Sequence, residues 1–268
     1  TTNDGVWSYT WRAGRQLAGM SKSGTTISYA YDADGLRTRK TVNGTATEYT
    51  MHGKLLTHMK KGNDQLHFYY DEQSRPAMVN YNGTIYTYVH DLQGDIVAIV
   101  DSNGNPVVEY WYDAWGKPLK TTGTLTTTLG ALNPFRYRGY IFDEETGLYY
   151  LKTRYYKPEW GRFLITDTYI STGQGMTCVN RFVYGGNNPV NTVEVDGQWF
   201  MFLTAAIGAV VGAVVGGVVA AANGEDVWKG AAIGAAAGGL LGLGGGAVAA
   251  HVLAGSATAS ISQVGAAI

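Results

Sequence analysis

An aromatic motif recurs about every 20 residues through the first half of this 268-residue chain. A typical copy has two aromatic residues separated by one other residue, then a polar anchor and a glycine, as in Tyr29-Ala30-Tyr31-Asp32 with Gly35. The anchors, spaced by 20, 20, 19, 20 and 22 residues, are Arg12, Asp32, His52, Asp71, Asp91 and Asp113. Self-similarity at a short fixed period predicts a repeat architecture in which each unit buries its apolar face with the help of its neighbours.

The residues between the anchors predict β-hairpins. Apolar and polar residues alternate, as from Tyr81 to Tyr88, and a period of two is that of a strand with one buried face. Asn43-Gly44, Asn82-Gly83 and Asn103-Gly104 lie between such runs. Asn-Gly favours the type I′ hairpin turn, because both residues tolerate positive φ. We therefore expect a mainly β protein of serial antiparallel β-hairpins, each of which is stable only beside its neighbours.

The composition of the chain changes near Gly197. Only 15% of all residues are charged, against about 25% in an average globular protein. After Gly197 the only charged residues are Glu225, Asp226 and Lys229. The stretch from Trp199 to Ala222 has 24 consecutive uncharged residues, and about 20 apolar residues in a helix span the hydrocarbon layer of a bilayer. The tail is therefore predicted to form two apolar helices joined by a polar turn.

Glycines recur at every fourth position of this tail. Spacing of four places them on one helical face, where the missing Cβ lets another backbone approach closely. They are Gly208, Gly212 and Gly216, then Gly230, Gly234, Gly238, Gly242 and Gly246. The spacing predicts a glycine-zipper α-helical hairpin, with a membrane as the partner of residues 199–250. The alternative is a flexible low-complexity linker, which Gly244-Gly245-Gly246 favours locally.

The repeat resembles the YD or RHS repeat of bacterial Rhs and wall-associated polymorphic toxins, of insecticidal toxin complexes and of teneurins. The residues that follow it are similar to the RHS-repeat-associated core domain. The similar stretches are Asn133–Tyr140, Asp143–Tyr150, Arg154–Tyr156, Pro158–Phe163 and Asn187–Asn191. The resemblance implies YD/RHS repeats over residues 1–130, a core domain over 131–197 and a pre-toxin, membrane-capable helical segment over 198–268.

The resemblance also implies a function. In that family the repeats wind into a hollow β-shell that encloses a toxic C-terminal segment, and the core domain closes one end. Six repeats are too few to close a shell, so we expect this chain to form the last strip of the wall and its plug. The expected partners are the remainder of the repeat shell and a downstream toxin domain. The expected location is secreted or at the cell surface, with a membrane-associated tail. The chain begins at Thr1 without an initiator methionine, so we expect a fragment that lacks the toxin enzyme.

The family's core domain is further described as an intramolecular aspartyl protease that cuts the chain just after the core. Two carboxylates that share one proton provide an acid beside a base, which could activate a water. The first family aspartate falls on Asp167, but the second position reads Glu194-Val195-Asp196-Gly197 in place of Asp-Pro-x-Gly. Three interpretations stay open: Glu194 replaces the missing aspartate, Asp196 does so, or the site is inactive. Cleavage is expected near Gln198-Trp199.

Other functions have weaker support in the sequence. The formal net charge is −1, so we expect no nucleic-acid partner. No metal ion or cofactor is expected, because the histidines lack compact ligand spacing. The histidines are His52, His58, His67, His90 and His251. The alternative function is a cell-surface adhesion or carbohydrate-binding module with a membrane anchor, whose tyrosines would stack on cell-surface glycans. The favoured interpretation of the same tyrosines is that they line a packed sheet face.

Overall fold

The structure is a computed structural model that describes residues 2–167, 180–190, 192–194, 200–224 and 226–242. Two compact units are present. The first consists of Thr1–Val190 with Glu194–Trp199, and the second of Asn191–Val193 with Phe200–Ile268.

Twelve strands form one antiparallel sheet in the first unit, and their order in the sheet follows the sequence. They are β1 (Ser8–Arg12), β2 (Gln16–Lys22), β3 (Thr25–Tyr31), β4 (Arg37–Val42), β5 (Thr45–His52), β6 (Leu55–Lys61), β7 (Asp64–Tyr70), β8 (Pro76–Tyr81), β9 (Thr84–His90), β10 (Ile96–Val100), β11 (Pro106–Tyr112) and β12 (Pro118–Thr122).

Each predicted repeat is one hairpin of this sheet. The anchors lie where the two strands of a hairpin turn, as Asp71 does between β7 and β8. Side chains alternate between a buried and an exposed face, so that Leu66 and Phe68 are buried while His67 and Tyr69 are exposed. The prediction of serial antiparallel hairpins is therefore confirmed.

The aspartate of the motif shapes the turn of its hairpin. The Oδ1 atom of Asp71 accepts hydrogen bonds from the main-chain nitrogens of Gln73 and Arg75, at 3.0 and 2.8 Å. The motif aspartates at 32, 91 and 113 bind their own turns in the same pattern, and so does Asp101 in the turn that joins β10 to β11. Four of these five turns have a glycine three residues after the aspartate, as Gly35 with φ of 80°, a conformation that glycine adopts without strain. The aspartate and the glycine of the motif are thus explained by the backbone geometry of the turn.

The residue just before the aspartate ties its hairpin to the preceding one. In each case a side chain bonds a main-chain carbonyl at the start of an earlier strand, at 2.6 to 2.9 Å. The pairs are Tyr31 with Leu17, Tyr70 with Leu56, His90 with Pro76 and Tyr112 with Ile96. The aromatic residue just before the aspartate of the motif therefore links one hairpin to the preceding hairpin.

Two of the three Asn-Gly turns follow the prediction. Asn43 and Gly44 have φ of 47° and 88°, and Asn82 and Gly83 have φ of 50° and 95°, as a type I′ turn requires. The prediction for Asn103-Gly104 is wrong, since only Gly104 has positive φ. Asp101 explains the difference, because it accepts hydrogen bonds from the nitrogens of Asn103 and Asn105 and so forms a longer loop.

A core segment follows the twelve strands and packs on the buried face of their sheet. It contains a second antiparallel sheet and several short helical turns. Phe135, Leu148 and Tyr155 of this segment belong to the same buried cluster as Leu66 and Val79 of the repeats. The strands are β13 (Ile141–Asp143), β14 (Leu148–Tyr150), β15 (Tyr155–Lys157) and β16 (Arg162–Phe163), with helical turns at Thr126–Gly130, Tyr137–Gly139, Pro158–Trp160 and Gly185–Asn187.

The second unit contains a helical hairpin, as expected for the fold class. A two-stranded sheet of β17 (Thr192–Glu194) and β18 (Phe200–Phe202) precedes α1 (Leu203–Ala222) and α2 (Val227–Gly242). The helices approach closely where Gly216 meets Gly230, because a Cβ added to Gly216 would lie 2.2 Å from the carbonyl oxygen of Gly230.

The predicted membrane-spanning helix is not found. Among the residues that the structure describes, no helix is both long and apolar enough to cross a membrane. Gly246 and the other residues after Gly242 lie outside the described part of the chain.

Candidate functional site

Two charged residues on one strand break the apolar pattern of the buried face of the repeat sheet. The second strand of each of several hairpins directs two residues, three apart, toward the core. These pairs are apolar in four strands: Leu17 with Met20, Leu56 with Met59, Pro76 with Val79 and Ile96 with Ile99. In β4 the same positions are Arg37 and Lys40, and both are buried.

Two carboxylates of the core segment bind these two cations. The guanidinium of Arg37 donates to both oxygens of Asp143, at 2.5 and 3.0 Å. The ammonium of Lys40 donates to Asp143 at 2.9 Å and to Glu145 at 2.7 Å. We refer to Arg37, Lys40, Asp143 and Glu145 as the ionic cluster. It joins the second repeat to the hairpin of β13 and β14.

Each charge of the ionic cluster depends on its partner. Burial would raise the pKa of Asp143, but Arg37 and Lys40 outweigh it and hold the pKa below its ordinary value. Burial would likewise lower the pKa of Lys40, and Asp143 reverses the shift and raises it. Buried charges are tolerated only when they are paired and hydrogen-bonded, so the cluster forms only if core segment and repeats are docked.

Tyrosines enclose the guanidinium of Arg37. The ring centroids of Tyr49 and Tyr150 lie 4.8 and 4.6 Å from its central carbon, within the range of a cation–π contact. The hydroxyl of Tyr155 accepts a hydrogen bond from Arg37 at 3.3 Å and lies 2.9 Å from the hydroxyl of Tyr31. The tyrosines of the repeats therefore line the packed face here.

Two further hydrogen bonds join the core segment to later repeats. The hydroxyl of Tyr88 in β9 donates to the side-chain oxygen of Asn133 at 2.7 Å. The hydroxyl of Tyr110 in β11 donates to the carbonyl of Gly130 at 3.0 Å. The core segment is thus fixed to hairpins on both sides of the sheet's centre.

Asp167, the first candidate for self-cleavage, is held at the end of the first described part of the chain. Its carboxylate forms an ion pair with Arg154 at 2.9 Å, and both side chains are largely buried. Its main-chain nitrogen donates to the carbonyl of Arg181 at 2.9 Å, and its carbonyl accepts a hydrogen bond from the guanidinium of Arg181. One partner of the carboxylate is thus a guanidinium.

The other candidates are placed less completely. Glu194 ends strand β17, and the structure describes its main chain only. Asp196 and the expected cleavage point at Gln198-Trp199 lie outside the described residues. The pairing of Asp167 with Glu194 or Asp196 remains a prediction. Within the described residues, no three or more His, Cys, Asp or Glu side chains are grouped so that they could hold a metal ion.

Sequence reasoning missed the ionic cluster, although the chain contains a signal for it. Alignment of the second strands by their three-residue spacing shows apolar pairs in β2, β6, β8 and β10 and a charged pair only in β4. Charged residues at core positions require partners of opposite charge, and the acidic stretch Asp143-Glu144-Glu145 is the richest in carboxylates in the core segment.

A sheet of tandem aromatic hairpins, covered on its buried face by an ion-paired core segment, defines a YD-repeat shell protein. The teneurin YD-shell family model matches residues 8–190. The chain belongs to this family. The resemblance to YD/RHS repeat proteins is therefore confirmed.

Curated relatives are similar over most of the chain. The chain is 38% identical over 244 residues to the tRNA(Glu)-specific nuclease WapA of Bacillus subtilis subsp. natto, covering 88% of this chain and 10% of that protein. It is 39% identical over 212 residues to the tRNA nuclease WapA of Bacillus subtilis strain 168, covering 76% of this chain and 9% of that protein. The chain thus spans about a tenth of the length of these relatives.

A solved structure has the same fold. The crystal structure of TcdB2-TccC3-Cdc42 matches with a TM-score of 0.58 and 21% identity, covering 72% of this chain and 10% of the matched chain.

Proposed function

We propose that this chain is the end strip and plug of a β-shell that encloses and delivers a C-terminal toxin. The ionic cluster is the observation that carries the proposal. A plug must stay docked on the wall, and the pairing of three buried charges with one another and with the half-buried Glu145 joins plug and wall in one defined arrangement.

The partners follow from this role. The remainder of the repeat shell would continue the sheet beyond strand β1, along the outer edge where Asn3 already bridges to Ser8 and the main-chain nitrogen of Tyr9 donates to the carbonyl of Thr2. The downstream toxin domain would lie inside the shell. The names of the Bacillus relatives, tRNA nucleases, support a toxin as cargo. Such a shell acts outside the cell that makes it, so the protein would be secreted or on the cell surface.

Protease protection of the full-length parent protein tests this function. We expect the toxin segment of the wild-type protein to resist limited proteolysis, and the Arg37→Met variant to expose it, because its plug loses the pair with Asp143. Arg39→Met is the matched control, since Arg39 lies on the same strand and its pair with Glu48 is exposed. Equal digestion of the toxin segment in wild type and Arg37→Met, at the rate of the free toxin, would contradict the proposal.

We further propose that the chain cuts itself near Gln198-Trp199, with Asp167 as one of two carboxylates. In the step, a water adds to the carbonyl of the scissile bond, one carboxylate takes its proton, and the other protonates the departing amine. The products are a new carboxyl terminus on one fragment and an amino terminus on the other. The fixed main chain and the buried ion pair of Asp167 support the proposal, because a catalytic carboxylate needs a defined position.

Intact-mass measurement of the purified chain tests self-cleavage. A fragment that ends near residue 198 is expected in the wild type and should disappear in Asp167→Asn. Glu194→Gln and Asp196→Asn, measured separately, identify the second carboxylate. Asp34→Asn is the control, because Asp34 lies exposed in a repeat turn. A wild-type chain that keeps its full mass over days at several pH values would rule out cleavage.

A further inference from the structure

Arg138 is a buried residue that neither the ionic cluster nor the Asp167 site uses. It lies in the helical turn Tyr137–Gly139 with φ of 55°, a conformation that residues with a side chain rarely adopt. Its side chain is fully buried beside Asp95, whose main chain belongs to the turn of the fifth hairpin. A buried guanidinium has five N–H donors to satisfy, so its acceptors must be held in fixed places.

Its acceptors include the segment that leads towards Glu194. The guanidinium of Arg138 donates to the main-chain carbonyls of Gln93, at 2.9 Å, and of Pro189, at 2.5 Å. The side-chain amide of Gln93 donates to the carbonyl of Val190 at 3.0 Å. Two consecutive carbonyls, at 189 and 190, are thus bound by one residue of the core segment and one of a repeat.

The turn of the fourth hairpin shows that the repeat geometry alone does not produce this contact. Asp71 accepts from the nitrogens of Gln73 and Arg75 in the way that Asp91 accepts from those of Gln93 and Asp95. Gln73 occupies the position of Gln93 in an equivalent loop and is exposed. The difference is that the loop at 91–95 lies beside Arg138 and the 189–190 segment.

We propose that Arg138 and Gln93 are positioning residues, which anchor residues 189–190 and so restrict where Glu194 can lie. This inference rests on the proposed self-cleavage. Glu194 follows Val190 by four residues, so a fixed Val190 limits it to about 14 Å from the anchor. Pro189 and Thr192 are themselves buried, so these hydrogen bonds act together with that packing.

The experiment compares Gln93→Ala with Gln73→Ala in the purified 268-residue chain. The first measurement is amide hydrogen exchange of peptides covering residues 184–194. We expect exchange there to be several-fold faster in Gln93→Ala, which loses one hydrogen bond at an exposed site, and unchanged in Gln73→Ala. Arg138→Gln should accelerate exchange more, and Arg138→Lys should restore part of the protection because lysine keeps a donor and the charge.

The second measurement is the rate at which the cleaved mass appears. If the anchor positions the reacting groups, Gln93→Ala should slow cleavage several-fold and Arg138→Gln about tenfold or more, since small misplacement is costly to a positioned reaction. Exchange that is unchanged in both Gln93→Ala and Arg138→Gln would overturn the anchor. Cleavage at the wild-type rate in both would overturn its positioning role. If the wild type never cuts itself, but hydrogen exchange is faster in Gln93→Ala than in the wild type, the self-cleavage is refuted and the anchor is established.

Discussion

The guanidinium of Arg37 and the carboxylate of Asp143 form a two-bonded ion pair across 106 residues of sequence. Both side chains are almost completely removed from solvent. Arg37 belongs to the second hairpin and Asp143 to the core segment, so this one contact reports whether the two are docked. The testable consequences start from it.

Removal of one partner of this pair should be strongly destabilising. Arg37→Met leaves Asp143 buried with Lys40 as its remaining cation, and loss of a buried partner costs about 3–5 kcal/mol. Urea unfolding followed by tyrosine and tryptophan fluorescence measures the change. Arg39→Met removes a pair of the same chemistry with both side chains exposed, and it should cost about 0–1 kcal/mol. Equal losses in the two variants would show that burial does not give the Arg37 pair its importance.

The tyrosine link between hairpins should have a measurable free energy. Tyr70→Phe deletes the hydroxyl that donates to the carbonyl of Leu56 and keeps the ring, so we expect a loss of about 1 kcal/mol. Tyr69→Phe is the control, because Tyr69 is the adjacent residue and its ring lies on the exposed face. The difference between the two midpoints of urea unfolding is the result, and no difference would mean that the hydroxyl bonds water equally well.

Asp95 should make stability fall as pH rises. Burial and the nearby Asp91 raise the pKa of Asp95 to about 6 against the opposing effect of Arg138. Its ordinary value is about 3.9, so between about pH 4 and 6 the folded chain binds more protons than the unfolded chain. The ionised carboxylate therefore lowers the free energy of unfolding above that window, by roughly 2–3 kcal/mol at most.

Unfolding at pH 4, 5, 6 and 7 checks this sign. Asp95→Asn should gain stability relative to wild type as pH rises through the window. Asp101→Asn should change little across this range, because hydrogen bonds from the Asn105 main chain lower the pKa of Asp101, so that its stabilising ionised form is lost only below about pH 4. A parallel course for the two variants would refute the assignment.

Two adjacent glycines of α1 should respond oppositely to alanine. In Gly216→Ala the new Cβ would lie 2.2 Å from the carbonyl oxygen of Gly230, so the helices must separate. In Gly217→Ala the nearest atom is at 3.5 Å, an ordinary contact, and alanine favours the helix by about 1 kcal/mol. Hydrogen exchange in residues 213–224 should rise in the first variant and fall in the second. The same change in both would show that the close approach does not stabilise the hairpin.

The sequence alone determined the repeat architecture of this protein. The anchors 20 residues apart and the alternation of apolar residues are local properties of the chain, and they predicted the hairpins and their order. Asn43-Gly44 and Asn82-Gly83 specified their turns because the tolerance of positive φ is a property of asparagine and glycine themselves. Asn103-Gly104 did not, since Asp101, two residues away, competed for the same backbone.

Only the tertiary structure decided what the buried face binds. Arg37 and Asp143 carry charges that any surface strand could carry, and nothing local states that they meet. The same is true of Arg138 and the carbonyl of Pro189, and of Asp167 and Arg154. Pairing between distant residues depends on how the core segment docks, which is a sum of many weak contacts over the whole face. The repeat period therefore determined the hairpins of the repeat sheet, whereas the contacts of the core segment were set only in the folded chain.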